Sequence, residues 1–312
     1  MKNKLTKIII MVILVLTLTG CTTQLKNADK KIVKNSETGQ SLTSNILCRP
    51  TDAKTIRLYE QNLKDLTKIP TCSAFAVTSG GYEGIWTTIF VKPLAWLIIK
   101  IGEITTSYGL SIILTTLFIR LLMVPLTKKS VMQADNLKNA KPELDKLEAK
   151  YKDKKDKDSM MQKSQEMMLI YKKFQISPAS GCLYSFLQIP LFFAYYEAIS
   201  RIPVIFSETF MGFQLGTNPT TGLTKGHYQY ILFIILIVAA TYYSFKLNGA
   251  AMSPDQEKQM KSMMNFMIVF IFIASLTLPT GIAVYWVTNN AFTIGQSLLS
   301  KRRKANDRSI KI

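Results

Sequence analysis

One arginine lies inside a long apolar segment of this sequence. Arg120 falls within the run from Tyr108 to Leu126, whose 19 residues would extend about 28 Å as a helix, close to the thickness of a bilayer's hydrocarbon core. We therefore predict that this run spans a membrane. An arginine there costs roughly 2.5–3.5 kcal/mol on insertion scales, so its side chain should face protein or a wet cavity rather than lipid. Arg120 is accordingly the leading candidate for a functional group, with a charge that attracts carboxylates.

The apolar runs of the chain contain only a sparse set of other polar side chains. These candidates are Thr115, Thr116, Gln188, Tyr285, Trp286, Asn289, Asn290 and Gln296. In a helix, Asn289, Thr293 and Gln296 can share one face. Such groups either bind a polar ligand or link helices through hydrogen bonds, and the sequence leaves both roles open.

Signatures of catalysis are missing from the sequence. It contains no GxxxxGK[ST] phosphate loop and no HExxH motif, and its single histidine is His227. Glu197 is the only carboxylate within the predicted spans, and it lies near the end of its run. We therefore expect no catalytic residue, no metal and no cofactor, which argues against an enzyme.

The first 20 residues predict a secretory leader. Three lysines precede an apolar stretch, and the sequence LTGC then ends at Cys21. This order is typical of a bacterial lipoprotein signal peptide (1–20), with cleavage before Cys21 and attachment of a lipid such as palmitate to its thiol. An uncleaved anchor is the alternative.

Residues 21–84 are polar, lack convincing periodicity, and would lie outside the cytoplasm after cleavage. We interpret them as an external tether or a small irregular module. Cys48 and Cys72 both lie in this segment, where a disulfide is chemically permitted, but two cysteines do not specify a pairing.

Residues 85–300 form the membrane domain in this interpretation. The segment from Ile85 to Ile101 is interrupted by Lys92, Pro93 and Lys100, so we predict an external helix at the membrane interface rather than a span. The five predicted spans are 108–126, 181–200, 230–245, 263–278 and 281–299. The expected fold class is therefore an all-α polytopic membrane protein.

Charge sets the expected orientation of these spans. Residues 127–180 carry 13 lysines against 8 acidic residues, and the tail 301–312 carries six basic residues against one acid. The loop 201–229 has only two basic residues. Positive charge marks the cytoplasmic side, so we expect a bacterial cell-membrane protein with its N-terminus outside and its C-terminus in the cytoplasm. The chain's net charge of +19 suits membrane lipids or a ribosome, and we expect no direct nucleic-acid substrate.

Residues 128–176 predict a cytoplasmic helical hairpin. The first arm carries a seam with spacings of three and four: Leu137, Ala140, Leu144, Leu147 and Tyr151. The returning face is expected from Met160, Met167, Tyr171 and Phe174. The hairpin is either a solvated spacer or, through its methionines, a surface for transient contacts.

Four motifs in order resemble the YidC membrane-protein insertases. They are YGLSIILTTLFIRLLMVPLT, KPELDKLEAKYK, MMLIYKKFQISPASGCLYSFLQIPLFFAYYEAI and LPTGIAVYWVTNNAFTIGQSLL. The resemblance runs from about Tyr82 to the C-terminus, and the short leader with its lipobox is similar to the Gram-positive branch. Leu278, Tyr184 and Ser185 depart from the usual residues of the family.

The resemblance implies five spans around a hydrophilic groove that opens to the cytoplasm and to lipid but is closed on the outside. It assigns Arg120 as the groove arginine and places Gln188, Tyr285 and Trp286 on the second and last spans; we add Asn290 to this substrate-binding set. It also implies insertion and chaperoning of nascent membrane proteins, alone or beside the SecY translocon. The tail of 12 residues after Ser300 is too short to favour stable ribosome docking.

An anion channel or a secondary transporter is the competing interpretation, because an intramembrane arginine suits an anion path. Many transporters contain internal repeats, and no such repeat relates these five runs. The sequence does not identify the clients, the dependence on SecY, the oligomeric state or any division of labour with a paralogue.

Overall fold

The computed structural model describes residues 22–62, 65–154, 156–177, 180–248 and 254–309. Cys21 and the predicted leader lie outside these residues. The helices are α1 (Ala53–Asn62), α2 (Lys92–Thr105), α3 (Tyr108–Tyr151), α4 (Lys157–Lys173), α5 (Ser180–Ser200), α6 (Pro219–Thr224), α7 (Ile231–Asn248), α8 (Pro254–Thr277) and α9 (Thr280–Ser309). Two short strands, β1 (Thr209–Phe210) and β2 (Phe213–Gln214), pair antiparallel. The predicted helical class is confirmed in this mostly helical structure.

The chain divides into two compact units. The first unit contains the described residues of Met1–Phe118, Gln188–Ile235 and Ala274–Thr288. The second contains those of Ile119–Leu187, Leu236–Ile273 and Asn289–Ile312.

Within the first unit, residues 22–84 form a small folded module rather than a tether. Leu25, Leu42, Ile46 and Tyr59 make a buried cluster, and the Tyr59 hydroxyl donates to the carbonyl of Thr43 at 2.9 Å. The disulfide left open by the sequence is formed, with the Cα atoms of Cys48 and Cys72 4.7 Å apart. Apolar packing and one cross-link thus hold a segment that has little regular secondary structure.

The segment predicted to lie at the membrane interface is helical, and Lys92 does not interrupt it. A π-helical turn, Thr87–Val91, leads into α2, which begins at Lys92 and places Pro93 in its first turn, where a missing N–H costs little. The Lys92 side chain is fully buried. Ile85 and Ile89 are exposed on this segment, as a helix lying in a lipid interface requires.

The predicted spans coincide with helices whose ends differ from the sequence interpretation. The first span and the first arm of the hairpin are one continuous helix, α3, which passes through Pro125 and Pro142. Helix α8 begins at Pro254, inside the expected cytoplasmic loop, and α9 continues into the basic tail. Among the described residues, Tyr108–Pro125 and Tyr228–Leu247 are long and apolar enough to cross a membrane, and Met264–Thr277 is a shorter apolar helix.

The hairpin of α3 and α4 lies within the second unit and has the predicted seam. Ala140 and Leu144 on α3 pack with Tyr171 on α4, and Met167 and Phe174 flank this cluster. Met160 was wrongly assigned to the packed face: it is exposed. Its position explains the error, because it lies in the first turn of α4, next to the charged tip of the hairpin.

Candidate functional site

Arg120 lies on α3 within the second unit, and its side chain is buried, with only 3% of the residue exposed. Its Nε donates a hydrogen bond to Oδ1 of Asn289 on α9, at 2.6 Å. The predicted burial of this arginine away from lipid is therefore seen in the structure. The predicted site residue Asn290 is the next residue on α9 and is half-buried.

Asn289 belongs to a buried polar stripe on α9. Thr293 and Ser297 follow it at intervals of four residues, and all three are less than 10% exposed. The hydroxyl of Thr293 donates to the carbonyl of Asn289, and that of Ser297 to the carbonyl of Thr293, each at 3.0 Å. These bonds satisfy buried hydroxyls inside their own helix. Gln296, which we predicted to share this face, is half-buried.

The aromatic candidates lie in the first unit. Tyr285 is 1% exposed and stacks on Tyr195 of α5 with ring centroids 4.4 Å apart. Trp286 meets Phe192 edge to face at 4.8 Å. Gln188, also on α5, is half-buried. An aromatic contact between α5 and α9 therefore fixes Tyr285 and Trp286, as offset and T-shaped ring pairs favour.

The structure thus gathers the predicted site residues in two groups, one in each unit. Arg120 and Asn290 belong to the second unit, whereas Gln188, Tyr285 and Trp286 belong to the first. Their assignment as one substrate-binding set stays a prediction.

A cluster of charged side chains in the first unit, three of them buried, was missed by the sequence analysis. Arg201, just after α5, is 1% exposed. Its guanidinium bonds to Glu197 at 3.1 Å and to Glu83, and its Nε donates to the carbonyl of Asn45 at 2.5 Å. Glu197 in turn accepts from the Trp86 indole at 3.0 Å. The spacing of Glu197 and Arg201 by four residues could have revealed one pair, but nothing in the sequence points to Glu83.

Lys92 completes this cluster. Its ammonium group lies 3.0 Å from Oε1 of Glu83 and donates to the carbonyls of Ser79 and Gly81 at 2.7 and 2.6 Å. Burial acts to raise the pKa of Glu83, but its hydrogen bond to Arg201 and the positive charges of Arg201 and Lys92 outweigh that effect and hold the pKa below its ordinary value. Two cations and two carboxylates thus compensate one another, as buried charges must.

Comparison with known proteins places this helical chain among integral membrane proteins. Residues 100–307 match the family described as 60Kd inner membrane protein. The chain is 36% identical over 223 residues to membrane protein insertase YidC of Oceanobacillus iheyensis, covering 70% of this chain and 84% of that relative. It is 35% identical over 217 residues to membrane protein insertase MisCA of Bacillus subtilis, covering 69% and 79%. Membrane protein insertase YidC 1 of Listeria monocytogenes is 32% identical over 226 residues, covering 72% and 75%.

These matches bear on the buried arginine, because Arg120 and its partner Asn289 both lie within the matched residues. The chain belongs to the YidC family of membrane protein insertases, and the resemblance found in its motifs is confirmed. That family is not one of catalytic enzymes.

Proposed function

We propose that this chain inserts nascent membrane proteins into the bacterial cell membrane and acts without catalysing a chemical reaction. One observation carries the proposal: the guanidinium of Arg120 is buried in an apolar run and is hydrogen-bonded to the polar stripe of α9. Arg120 and Asn289 both belong to the region that matches the insertase family. A cation inside an apolar run is costly, and its positive charge would attract acidic residues in the hydrophilic tail of a client. The channel or transporter alternative gains no support from the relatives.

The proposed mechanism requires no nucleotide. A hydrophilic groove part-way through the bilayer shortens the apolar distance that a client's external tail must cross, and Arg120 attracts acidic residues of that tail. Gln188, Tyr285, Trp286 and Asn290 are proposed to contact the client. Its span of about 20 apolar residues then enters lipid favourably. A membrane potential of 100 mV contributes about 2.3 kcal/mol for each negative charge moved outward.

The proposed topology has five spans, an external N-terminus and a cytoplasmic C-terminus. Lipid on Cys21, after removal of residues 1–20, would add an anchor to a chain that its spans already hold firmly. Mass spectrometry of the purified N-terminus tests this assignment: the wild type should begin at acylated Cys21, and Cys21→Ala should not be acylated. An intact Met1 in the wild type would contradict it.

The hairpin is proposed as a surface where clients make their first contact, as part of a chaperone role. Met160, Met161, Met168 and Leu169 of α4 are each at least half exposed, and flexible thioethers adapt to varied apolar segments. Photocrosslinkers at Met161 should capture nascent clients, whereas a crosslinker at the buried Leu144 should not. SecY is proposed as a partner for part of the clients, lipids as the surrounding partner, and the ribosome only as a weak one.

Reconstitution tests the function directly. Liposomes containing the purified chain should insert a short single-span client with an acidic external tail, measured as protection of that tail from added protease. Empty liposomes and liposomes with Arg120→Ala serve as controls. Equal protection in all three preparations would reject the insertase assignment.

A further inference from the structure

The module at residues 22–84 is joined to the rest of the first unit by buried bonds. Besides Arg201 bonding to the Asn45 carbonyl, the backbone N–H of Leu47 donates to the carbonyl of Arg201 at 2.8 Å. Glu83 approaches the same guanidinium from the end of the module. One side chain at the end of α5 therefore holds both ends of the segment that contains the Cys48–Cys72 disulfide.

A second attachment joins the module to helix α6 in the loop 201–230. The N–H of Asn218 donates to the carbonyl of Thr38 at 3.2 Å, and the ammonium of Lys225 donates to the carbonyl of Glu37 at 2.9 Å. Gly39 directly follows Thr38 in the chain, and its φ is +71°. A Cβ at Gly39 would come within 1.9 Å of the Thr221 hydroxyl, so the contact permits no side chain there.

The loop 201–230 is itself bound to the ends of the long helices. Glu208 accepts from the N–H of Tyr108, where α3 begins, at 2.5 Å. The carbonyls of Thr217 and Leu215 accept from the N–H groups of Thr280 and Gly281, where α9 begins, at 3.0 and 2.8 Å. These bonds satisfy backbone donors that helix N-termini leave without partners. Module, loop and helix ends therefore form one connected layer.

We infer that residues 22–84 are an outer cap, which seals the external end of the first unit against ions and water while clients are inserted. A protein with a hydrophilic groove in the bilayer needs such a barrier, because ions would otherwise cross where the apolar thickness is reduced. The cap covers the layer of helix ends through two attachments, the buried Arg201 and the close approach at Gly39. The inference rests on the proposed insertase function and on the proposed external N-terminus.

The attachment at Gly39 provides a sharp test with a matched control. Gly39→Ala adds a methyl group that must push the cap away from Thr221. Gly226→Ala is the matched control. Gly226 has a similar backbone conformation, with φ of +80°, but a Cβ added there meets nothing within 4 Å. Both positions lie outside the predicted spans. Arg201→Gln, which removes the charge at the other attachment, is the second disrupting variant.

Each variant is reconstituted as the full chain, and three quantities are measured separately: hydrogen exchange of the cap, leakage of potassium from loaded liposomes, and client insertion. In Gly39→Ala and Arg201→Gln we expect faster exchange in the cap and leakage at least fivefold above the wild type. Gly226→Ala should stay within twofold of it.

Two outcomes would overturn the inference: faster exchange in the cap with leakage at the wild-type level, or unchanged exchange in Gly39→Ala. Should Arg201→Gln fail to fold, Gly39→Ala alone decides, because its added methyl group changes no charge. If the wild type itself does not insert the client, the proposed function is rejected instead, because leakage is measured without any client.

Discussion

Two buried arginines of this chain have different described partners. Arg201 is bonded to the carboxylates of Glu83 and Glu197, whereas Arg120 donates from Nε to the neutral amide of Asn289. Both are almost inaccessible to solvent. Burial alone therefore does not identify a functional arginine. Arg201 ties together segments that are distant in the chain, whereas Arg120 is the arginine that we propose receives a client.

The largest expected effect on stability comes from Arg201. Arg201→Ala leaves the buried carboxylate of Glu197 and the partly exposed carboxylate of Glu83 without their guanidinium. Breaking the buried pair in this way costs about 3–5 kcal/mol. The free energy of unfolding in mixed micelles measures that loss. Arg201→Lys should lose less, because it keeps the charge but not the planar fork. A loss below about 1 kcal/mol for Arg201→Ala would show that the pairs contribute little net stability.

The effect that should distinguish Arg120 from Arg201 is on function. Arg120→Ala should reduce insertion of a client with an acidic external tail by roughly tenfold or more, as expected for loss of about 1.4 kcal/mol of attraction. Arg120→Lys should retain much of the activity if charge is what matters.

The matched control for Arg120 is the same client with its acidic residues neutralised. Insertion of that client should fall much less in Arg120→Ala. Equal loss for both clients would make Arg120 a structural residue like Arg201 and remove the functional difference between them.

The comparison also separates what the sequence could predict from what it could not. Arg120 could be predicted as a candidate because an arginine inside an apolar run is unusual whatever the tertiary structure. The hairpin seam through Ala140, Leu144 and Tyr171 was found because helical spacing is local. Both signals are contained in short windows of sequence.

The charge cluster around Arg201 depends instead on pairs of residues that are far apart in the chain. Glu83 and Arg201 are separated by 118 residues, and Trp86 and Glu197 by 111. No periodicity brings such residues together, so Lys92 was interpreted as an interruption when it is a buried partner of Glu83. The module was equally obscure, because a disulfide and a small apolar cluster replace regular elements there.

A smaller effect is expected at Asn289. Asn289→Ala removes an acceptor from a charged donor, and hydrogen bonds of this type contribute about 1.5–3 kcal/mol. The half-buried neighbour Asn290 is the matched control on the same helix turn. Unfolding free energies should fall clearly for Asn289→Ala and less for Asn290→Ala. The reverse order would mean that the amide beside Arg120 does not help to hold it.

The smallest expected effect is a pH dependence of the stability of the cap, which arises from the charge cluster around Arg201 and not from Arg120. Glu83 faces Arg201 and Lys92, and Glu197 lies across the same guanidinium. Because the pKa of Glu83 is held below its ordinary value of 4.5, its stabilising contribution is complete above that value and is lost as the pH falls through its lowered pKa. Protection of residues 22–84 from hydrogen exchange, corrected for the pH dependence of exchange in an unfolded chain, should therefore fall as the medium becomes more acidic than about pH 4.5. Glu83→Gln, which carries no titrating group, should weaken the cap at neutral pH and remove this part of the acid response. Asp52 would continue to titrate in both proteins. Burial acts to raise the pKa of Asp52, but hydrogen bonds from Thr55 outweigh that effect and lower it. An identical acid response in the wild type and Glu83→Gln would show that Glu83 does not couple protonation to the cap.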